Sequence, residues 1–461
     1  MARRFTIAEK VREQALAHCH VSTIGNWVIA IALASAVSAA HASSTAPTPS
    51  VNARLYGDGL TATAHGPDAV FHNPAGLFRY RQLSLRLASI DAMVDGASVR
   101  GANASGEARE SESQIFERLF DRLTTEEETA LMARVNPFEI IMPIFALQTF
   151  SAANFRTQRV DADGKPVKNR EDATGWDLTG GMDTGAIAGL AVGYGPVSVG
   201  YSQYLLVRSG IRSRPTDANA VTIADASRAG TLDVDTVDFD EFTDFTWGSA
   251  IGRNIGVMVK PLGHQGLTVG VAHLMAGGLK FAKDVPASAK ALARHEDSMQ
   301  ELAEEYGIEL KRPESREATT NVGVAFAVGG TAKNFWRAGL NLETQDIGGE
   351  QVEHPHVVSG EVGLRVPWPA PKDSVFIRFA LPQIGGGLTP CHLGLSSMLL
   401  IASHRPGESS TWGFDLSLHG GTGGVSYLTF ELKGLAEEFV DGTSPTTRYG
   451  ASVAAGLTLM L

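Results

Sequence analysis

The chain has 461 residues, 43% of them apolar and 19% charged, with 50 glycines, 2 cysteines and a formal net charge of −11. The apolar fraction excludes disorder over most of the length, and the cysteine count excludes a disulfide scaffold. The acidic balance and the lack of a basic stripe exclude a general nucleic-acid binder, so no nucleic-acid partner is expected.

Residues 1–26 carry Arg3, Arg4, Lys10 and Arg12, the run Val28–Val37 is apolar or small, and Ala40-His41-Ala42 closes a small-residue stretch. Basic, apolar and small segments in that order read as a secretory signal peptide over residues 1–42. The alternative is an N-terminal anchor, but the apolar run is shorter than the roughly 20 residues that a spanning helix needs. Cleavage would leave Cys391 as the sole cysteine, so no internal disulfide is expected.

Residues 43–82 form an N-terminal segment, and residues 83–461 carry a repeating pattern. Stretches of about ten residues alternate in character and end at Gly, Pro, Asn or Asp. They fall at 83–90, 139–158, 186–194, 197–210, 246–259, 266–281, 320–329, 335–347, 356–366, 374–381, 391–403, 411–419, 424–433 and 447–461. Gly195-Pro196 marks a two-residue hairpin turn between two of them. Two insertions read as helices. Ser111–Arg134 has Ile115, Phe116, Leu119, Phe120 and Leu123 on one face, and residues 287–306 have Leu292, Met299, Leu302 and Tyr306. Residues 159–181 and 212–244 read as acidic loops.

The predicted fold is all-β: a transmembrane antiparallel β-barrel of about 14 strands in the outer membrane. The last strand carries the argument. Tyr449, Ala451, Val453, Ala455, Leu457, Leu459 and Leu461 share one face, and Gly450, Ser452, Ala454, Gly456, Thr458 and Met460 the other. A soluble sheet would place charges on its second face, whereas this one carries Gly, Ala, Ser and Thr, with sparse charge. A periplasmic or secreted all-β protein is the alternative.

One segment has a distinctive order: Asp68-Ala69-Val70-Phe71-His72-Asn73-Pro74-Ala75-Gly76-Leu77. Pro74 pushes Asn73 out of the α region, Asp68 is placed to cap a short turn, and Phe71 and Leu77 are apolar anchors. The segment resembles the D-A-x-x-[FY]-x-N-P-A-G-[LM] signature near the mature N-terminus of the FadL family. Those are outer-membrane transporters of long-chain fatty acids and other hydrophobic compounds. Asp68, Ala69, Phe71, Asn73, Pro74, Ala75, Gly76 and Leu77 match, with Phe71 one position closer to Ala69 than in the signature. TraF-like plasmid-transfer proteins and PorV-like secretion subunits share the signature.

The resemblance implies that the segment folds into the barrel lumen as a hatch; the plain alternative is that N-P-A-G only caps the first strand. It also implies that solute leaves sideways where an early strand is kinked. Gly189 and Gly193, in the stretch taken as the third strand, are candidates for such a kink, or equally for close packing of the hatch. The implied function is passive uptake of hydrophobic molecules such as long-chain fatty acids. The implied partners are the apolar solute or fatty acid and outer-membrane lipid, with the protein a monomer. The helical insertions favour the alternative of an assembly or interaction subunit.

No catalytic group, cofactor or metal is expected. His419-Gly-Gly-Thr-Gly423 resembles an esterase oxyanion loop but lacks a G-x-S-x-G partner. His354 and His356 lack further ligands nearby. Asp233–Asp244 offers oxygen ligands for calcium without EF-hand spacing.

Overall fold

The computed structural model describes residues 50–80, 82–95, 128–162, 174–214, 216, 243–261, 266–282, 310–347, 355–366, 375–382, 388–421, 426–439 and 446–460. The proposed signal peptide and the 287–306 insertion lie outside them. The strands are β1 (Gln82–Asp95), β2 (Glu128–Met142), β3 (Phe145–Val160), β4 (Gly175–Tyr194), β5 (Val197–Ser213), β6 (Thr243–Val259), β7 (Leu267–Leu274) and β8 (Leu310–Lys311). They continue with β9 (Thr319–Thr331), β10 (Asn334–Ile347), β11 (His356–Arg365), β12 (Val375–Pro382), β13 (Leu388–Arg405), β14 (Ser409–Gly421), β15 (Ser426–Phe439) and β16 (Thr446–Met460).

Antiparallel neighbours run β11-β10-β9-β7-β6-β5-β4-β3-β2-β1-β16-β15-β14-β13, and β11 pairs with β13 to close the ring. The wall therefore has 14 positions. Closure leaves no long open edge, as a lipid environment requires of strands. Short turns at 143–144, 195–196 and 332–333 lie at one end, and Asp95, Glu128, Val160, Gly175, Ser213 and Thr243 at the other.

Alternation sorts the side chains by face. On β4, Asp183, Ile187, Gly189 and Ala191 point inward, while Leu190, Val192 and Tyr194 point out. On β16, Val453 and Tyr449 are exposed, and Ala454 and Thr458 buried, as the alternation predicted. An apolar band around a closed antiparallel barrel is the form of an outer-membrane barrel. No helix among the described residues is long and apolar enough to cross a membrane.

The strand count agrees with the sequence through two misreadings that cancel. The stretch 139–158 is not one strand: it turns at 143–144, with Ile144 at φ +75°, so its first residues end β2. The first part of β2 falls in the 111–134 insertion read as helical; residues 128–134 are strand, and 111–127 lie outside the described residues. A bulge between Val135 and Phe138 moves the inward set from Arg134 and Asn136 to Glu139 and Ile141, hiding the period of two. In compensation, 356–366 and 374–381 share one wall position. β11 pairs with Ser397–His404 of β13, and β12 with Leu388–Gly394.

Three smaller corrections follow. Gly175–Gly181, read as loop, opens β4. β7 stops at Leu274, where Met275, Gly277 and Gly278 all take positive φ. The inner face is not sparsely charged either. Arg86 with Glu431 and Glu139, Arg208 with Asp183, Arg212 with Asp177 and Arg337 with Glu361 pair within the ring.

The outward assignment is testable at Leu400, 61% exposed on β13. Leu400→Arg should cost about 2–4 kcal/mol in a bilayer, and Leu400→Ala much less. Equal unfolding free energies for the two variants in liposomes would contradict a lipid-facing Leu400.

Candidate functional site

The stretch 50–80 lies inside the ring and touches strands on every side. It is built from short turns: α1 (Val51–Leu55), a 3-10 turn Gly66–Asp68, α2 (Ala69–His72) and a 3-10 turn Pro74–Arg79. Ser50 caps α1 by accepting from the Ala53 N–H at 3.0 Å. Asn73 caps the last turn by accepting from the Ala75 N–H at 3.1 Å, with Pro74 at its first position.

Asn73 does more than cap. Its Nδ2 donates to the Thr61 carbonyl at 2.7 Å and to that of Val257 on β6 at 3.2 Å. The side chain is fully buried and ties two parts of the segment to the wall. Asp68 does not cap a turn, as its position suggested. It accepts from Ser50 Oγ at 3.1 Å and Asn52 Nδ2 at 2.6 Å, folding the segment back on itself.

Two kinds of contact hold the segment. On the β10–β13 side they are polar. Glu343 accepts from the Thr61 N–H at 2.7 Å and from its hydroxyl at 2.8 Å. Asn341 donates to the Gly59 carbonyl at 2.6 Å, Arg405 to that of Gly57 at 3.1 Å, and Tyr56 donates to Glu361 at 2.6 Å. On the β3–β6 side, Gln148 donates to the Pro67 carbonyl at 2.6 Å and Ser202 to that of Val70 at 2.6 Å. Asn254 on β6 also donates to the Val70 carbonyl at 3.2 Å, and close packing supplies the rest. Val70, Phe71 and Leu77 are buried, each worth on the order of 1.5–3 kcal/mol. The Phe71 ring meets Phe150 edge-on at 5.7 Å and lies 4.9 Å beneath the Arg134 guanidinium.

Glycine makes that packing possible. A Cβ on Gly256 would overlap Asn73 Oδ1, and one on Gly200 the backbone of Pro74 and Ala75. A Cβ on Gly189 would stand 2.8 Å from Val70 Cγ1, and one on Gly193 2.6 Å from the Phe78 ring. Gly76 of the motif passes against the Ala64 carbonyl in the same way. β4, the fourth strand and not the third, pairs without a register shift with both β3 and β5. Gly189 and Gly193 pack closely against the segment, and the strand pairing beside them is unbroken. Outside the same wall, Phe145, Leu147, Ala186, Ala188, Leu190 and Leu205 line an open groove of about 400 Å³.

The electrostatics are those of an enclosed, wired segment. Burial alone would raise the Asp68 carboxyl, but Lys433, His72 and Arg134 outweigh it and hold it below the usual range. Burial lowers His72 against the pull of Asp68 and Asp58. Burial would also lower Arg54, yet Asp58, Glu437 and Glu408 hold it above its ordinary value.

Of the residues singled out in the sequence, Asp68 through Leu77, Gly189 and Gly193 gather at this one place. Sequence reasoning missed Glu343, Asn341, Gln148, Ser202, Gly200 and Gly256. Their only signal was a polar residue or a glycine at an inward position of an alternating strand. His419 does meet a serine: its Nδ1 contacts Ser396 Oγ. That hydroxyl donates its one proton to the Ser417 carbonyl at 2.9 Å, which leaves it placed to accept from His419. Among the described residues no cluster of His, Cys, Asp and Glu could hold a metal. The Asp233–Asp244 stretch lies outside them up to residue 242.

No family model matches the chain, and no curated protein matches it. Among solved structures it is similar to a FadL homologue of Pseudomonas aeruginosa, at 11% identity and TM-score 0.35 over 90% of this chain and 98% of that one. It is also similar to the toluene transporter TbuX of Ralstonia pickettii, at 12% identity and TM-score 0.33 over 90% and 98% of the two chains. A third is the monoaromatic hydrocarbon channel CymD, at 9% identity and TM-score 0.32 over 88% and 97%. Likeness at this level adds nothing to the fold, which stands on the strand pairing itself.

Asn73→Ala removes a donor and leaves the buried Thr61 carbonyl unpaired, a loss of about 1–3 kcal/mol. Amide exchange across residues 60–79 should quicken roughly tenfold or more, while β14–β16 stay protected. Unchanged exchange in the segment would show that Asn73 does not hold it.

Proposed function

We propose that the protein is a passive outer-membrane channel for hydrophobic molecules, such as long-chain fatty acids, and that residues 50–80 are its hatch. One observation carries this reading: a closed barrel of 14 wall positions has its lumen occupied by a segment held without a covalent bond. A ring of that size is wider than its own side chains fill. An occupant seated by hydrogen bonds and packing blocks water and ions, and it can shift without breaking the wall.

Passage of this kind needs no covalent chemistry. Capture comes from burying apolar surface, worth about 0.8 kcal/mol per methylene, so a long acyl chain gains more than a short one. The solved structures named above include proteins described as toluene and hydrocarbon channels, which agrees with an apolar cargo. Asp68 and Asn73 are the hatch's internal tie and its tie to the wall.

The double variant Asp68→Ala with Asn73→Ala should raise ion conductance in planar bilayers and change the rate of apolar-solute uptake. Gly256→Leu, which pushes on the hatch from the wall side, should raise conductance as well. If the double variant, assembled as a barrel, changes neither leak nor uptake, the hatch reading fails.

A further inference from the structure

Arg253 on β6 faces away from the lumen. It alternates with the buried, inward Gly252 and Asn254, and its outward neighbours Ile251 and Ile255 are each 44% exposed. Among the described residues its guanidinium has neither an ion pair nor a hydrogen bond. An arginine on the lipid face of a barrel costs about 2–4 kcal/mol at the bilayer midplane and little at the interfaces. The stretch from Val259, at the short-turn rim, to Arg253 rises about 16 Å along a tilted strand, past the middle of an apolar band about 25 Å tall. Short turns mark the periplasmic side, so the long side chain extends toward the outer leaflet. Toward the same end of the wall the outward faces of later strands turn polar. His273 meets Thr320 at 3.0 Å, Thr344 meets His356 at 3.2 Å and His404 meets Ser410 at 2.9 Å.

Gln203 on β5 is the ladder partner of Arg253 and is exposed on the same outward face. The Tyr201 hydroxyl donates to the Gln203 carbonyl oxygen at 2.9 Å, which leaves the Gln203 amide nitrogen to donate outward. Both residues also line the open groove of about 400 Å³. Its floor is Ala186 and Ala188 on β4, with Phe145 and Leu147 of β3 on one flank and Tyr201 and Leu205 of β5 on the other. Atoms lining an unfilled depression lose contacts, and in a lipid-facing wall an acyl chain restores them. On the far side of Arg253, β7 pairs with β6 only as far as Ile255–His273. The Met275–Gly278 turn takes its place, and its Ala276 N–H donates to the Arg253 carbonyl at 2.7 Å. A Cβ on Gly277 in that turn would meet nothing within 4 Å, so the turn borders open space.

We propose that Arg253, Gln203 and Tyr201 hold the phosphorylated sugar headgroup of an outer-leaflet glycolipid, one of whose acyl chains lies in the Ala186–Ala188 groove. A guanidinium matches a phosphate with two parallel hydrogen bonds, and an amide and a phenol suit sugar hydroxyls. The outer leaflet of an outer membrane is made of a multiply acylated, phosphorylated diglucosamine lipid, so headgroup and tail arrive in one molecule. The site rests on the membrane barrel and not on the channel reading, since it faces lipid and not the lumen. It seats a lipid on the outer side of the β4 stretch whose inner side receives Val70 and Leu77 at Gly189.

Lipid retention by the full chain in non-ionic detergent, read by native mass spectrometry, tests this with three probes. They are bis-phosphorylated lipid A, the same lipid after phosphatase treatment, and phosphatidylglycerol. Lipid A should bind at least tenfold tighter than its dephosphorylated form. Arg253→Gln should abolish that preference, and Arg253→Lys should keep part of it. Ala188→Leu, which fills the groove, should weaken both forms together. Equal binding of the two forms to the unaltered chain overturns the proposal. So does a preference that survives in an Arg253→Gln barrel with unchanged strand content by circular dichroism. Phosphatidylglycerol bound as tightly as lipid A overturns the glycolipid assignment, and binding untouched by Ala188→Leu overturns the groove as the acyl seat.

Discussion

The Asn73 carboxamide, buried at the centre of the lumen, is the interaction on which the rest of the interior depends. One side chain caps the Pro74 turn, accepts the Ala75 N–H, and donates both to the segment's own Thr61 and to β6. Thr61 and Ala75 are buried, and leaving their backbone groups unpaired would cost about 1–3 kcal/mol each. Leucine has the volume but no donors. Asparagine satisfies the turn and the wall together, which fixes the segment's height and rotation in the ring.

The glycines of the wall follow from that placement. A strand facing an ordinary side chain tolerates alanine, but β5 and β6 face the backbone of the Asn73-Pro74-Ala75 turn. Gly200 is where backbone meets backbone, Gly256 is where the wall meets the Asn73 carboxamide and the Pro74 ring, and Gly189 and Gly193 are where it meets the Val70, Leu77 and Phe78 side chains. Part of the high glycine content is therefore complementarity to one inserted turn, and not strand flexibility. The pairing of β4 with both neighbours runs through these positions without interruption.

How much of this was legible beforehand varied with the physics of each part. Alternation identified the strands whose outer faces are apolar and whose register is unbroken, such as β5 and β15. It failed at β2, where a bulge shifts the inward set and Arg134 and Glu139 break the small-residue pattern. It also failed where β11 and β12 share one neighbour, because pairing partners are not encoded in period. The Asp68–Leu77 motif was legible as a place, since Asn-Pro and a following glycine constrain the backbone locally. Its wall partners were not, because Glu343, Ser202 and Gln148 lie 282, 132 and 81 residues from their contacts.

The two sides of the lumen segment differ in a way that matters energetically. Toward β10–β13 the contacts are mostly hydrogen bonds to backbone carbonyls and to Thr61, and water can replace each of them when the contact opens. A typical exchange of that kind costs about 0.5–1.5 kcal/mol per bond, and more where a charged group takes part. Toward β3–β6 the hydrogen bonds from Gln148, Ser202 and Asn254 are set among Val70, Phe71 and Leu77 packed against glycine and aromatic surface, and exposing those side chains to water recovers nothing. Hydration of the lumen therefore loosens the segment first along the β10–β13 side. The apolar seat on the opposite face keeps the segment in register while the polar face exchanges partners.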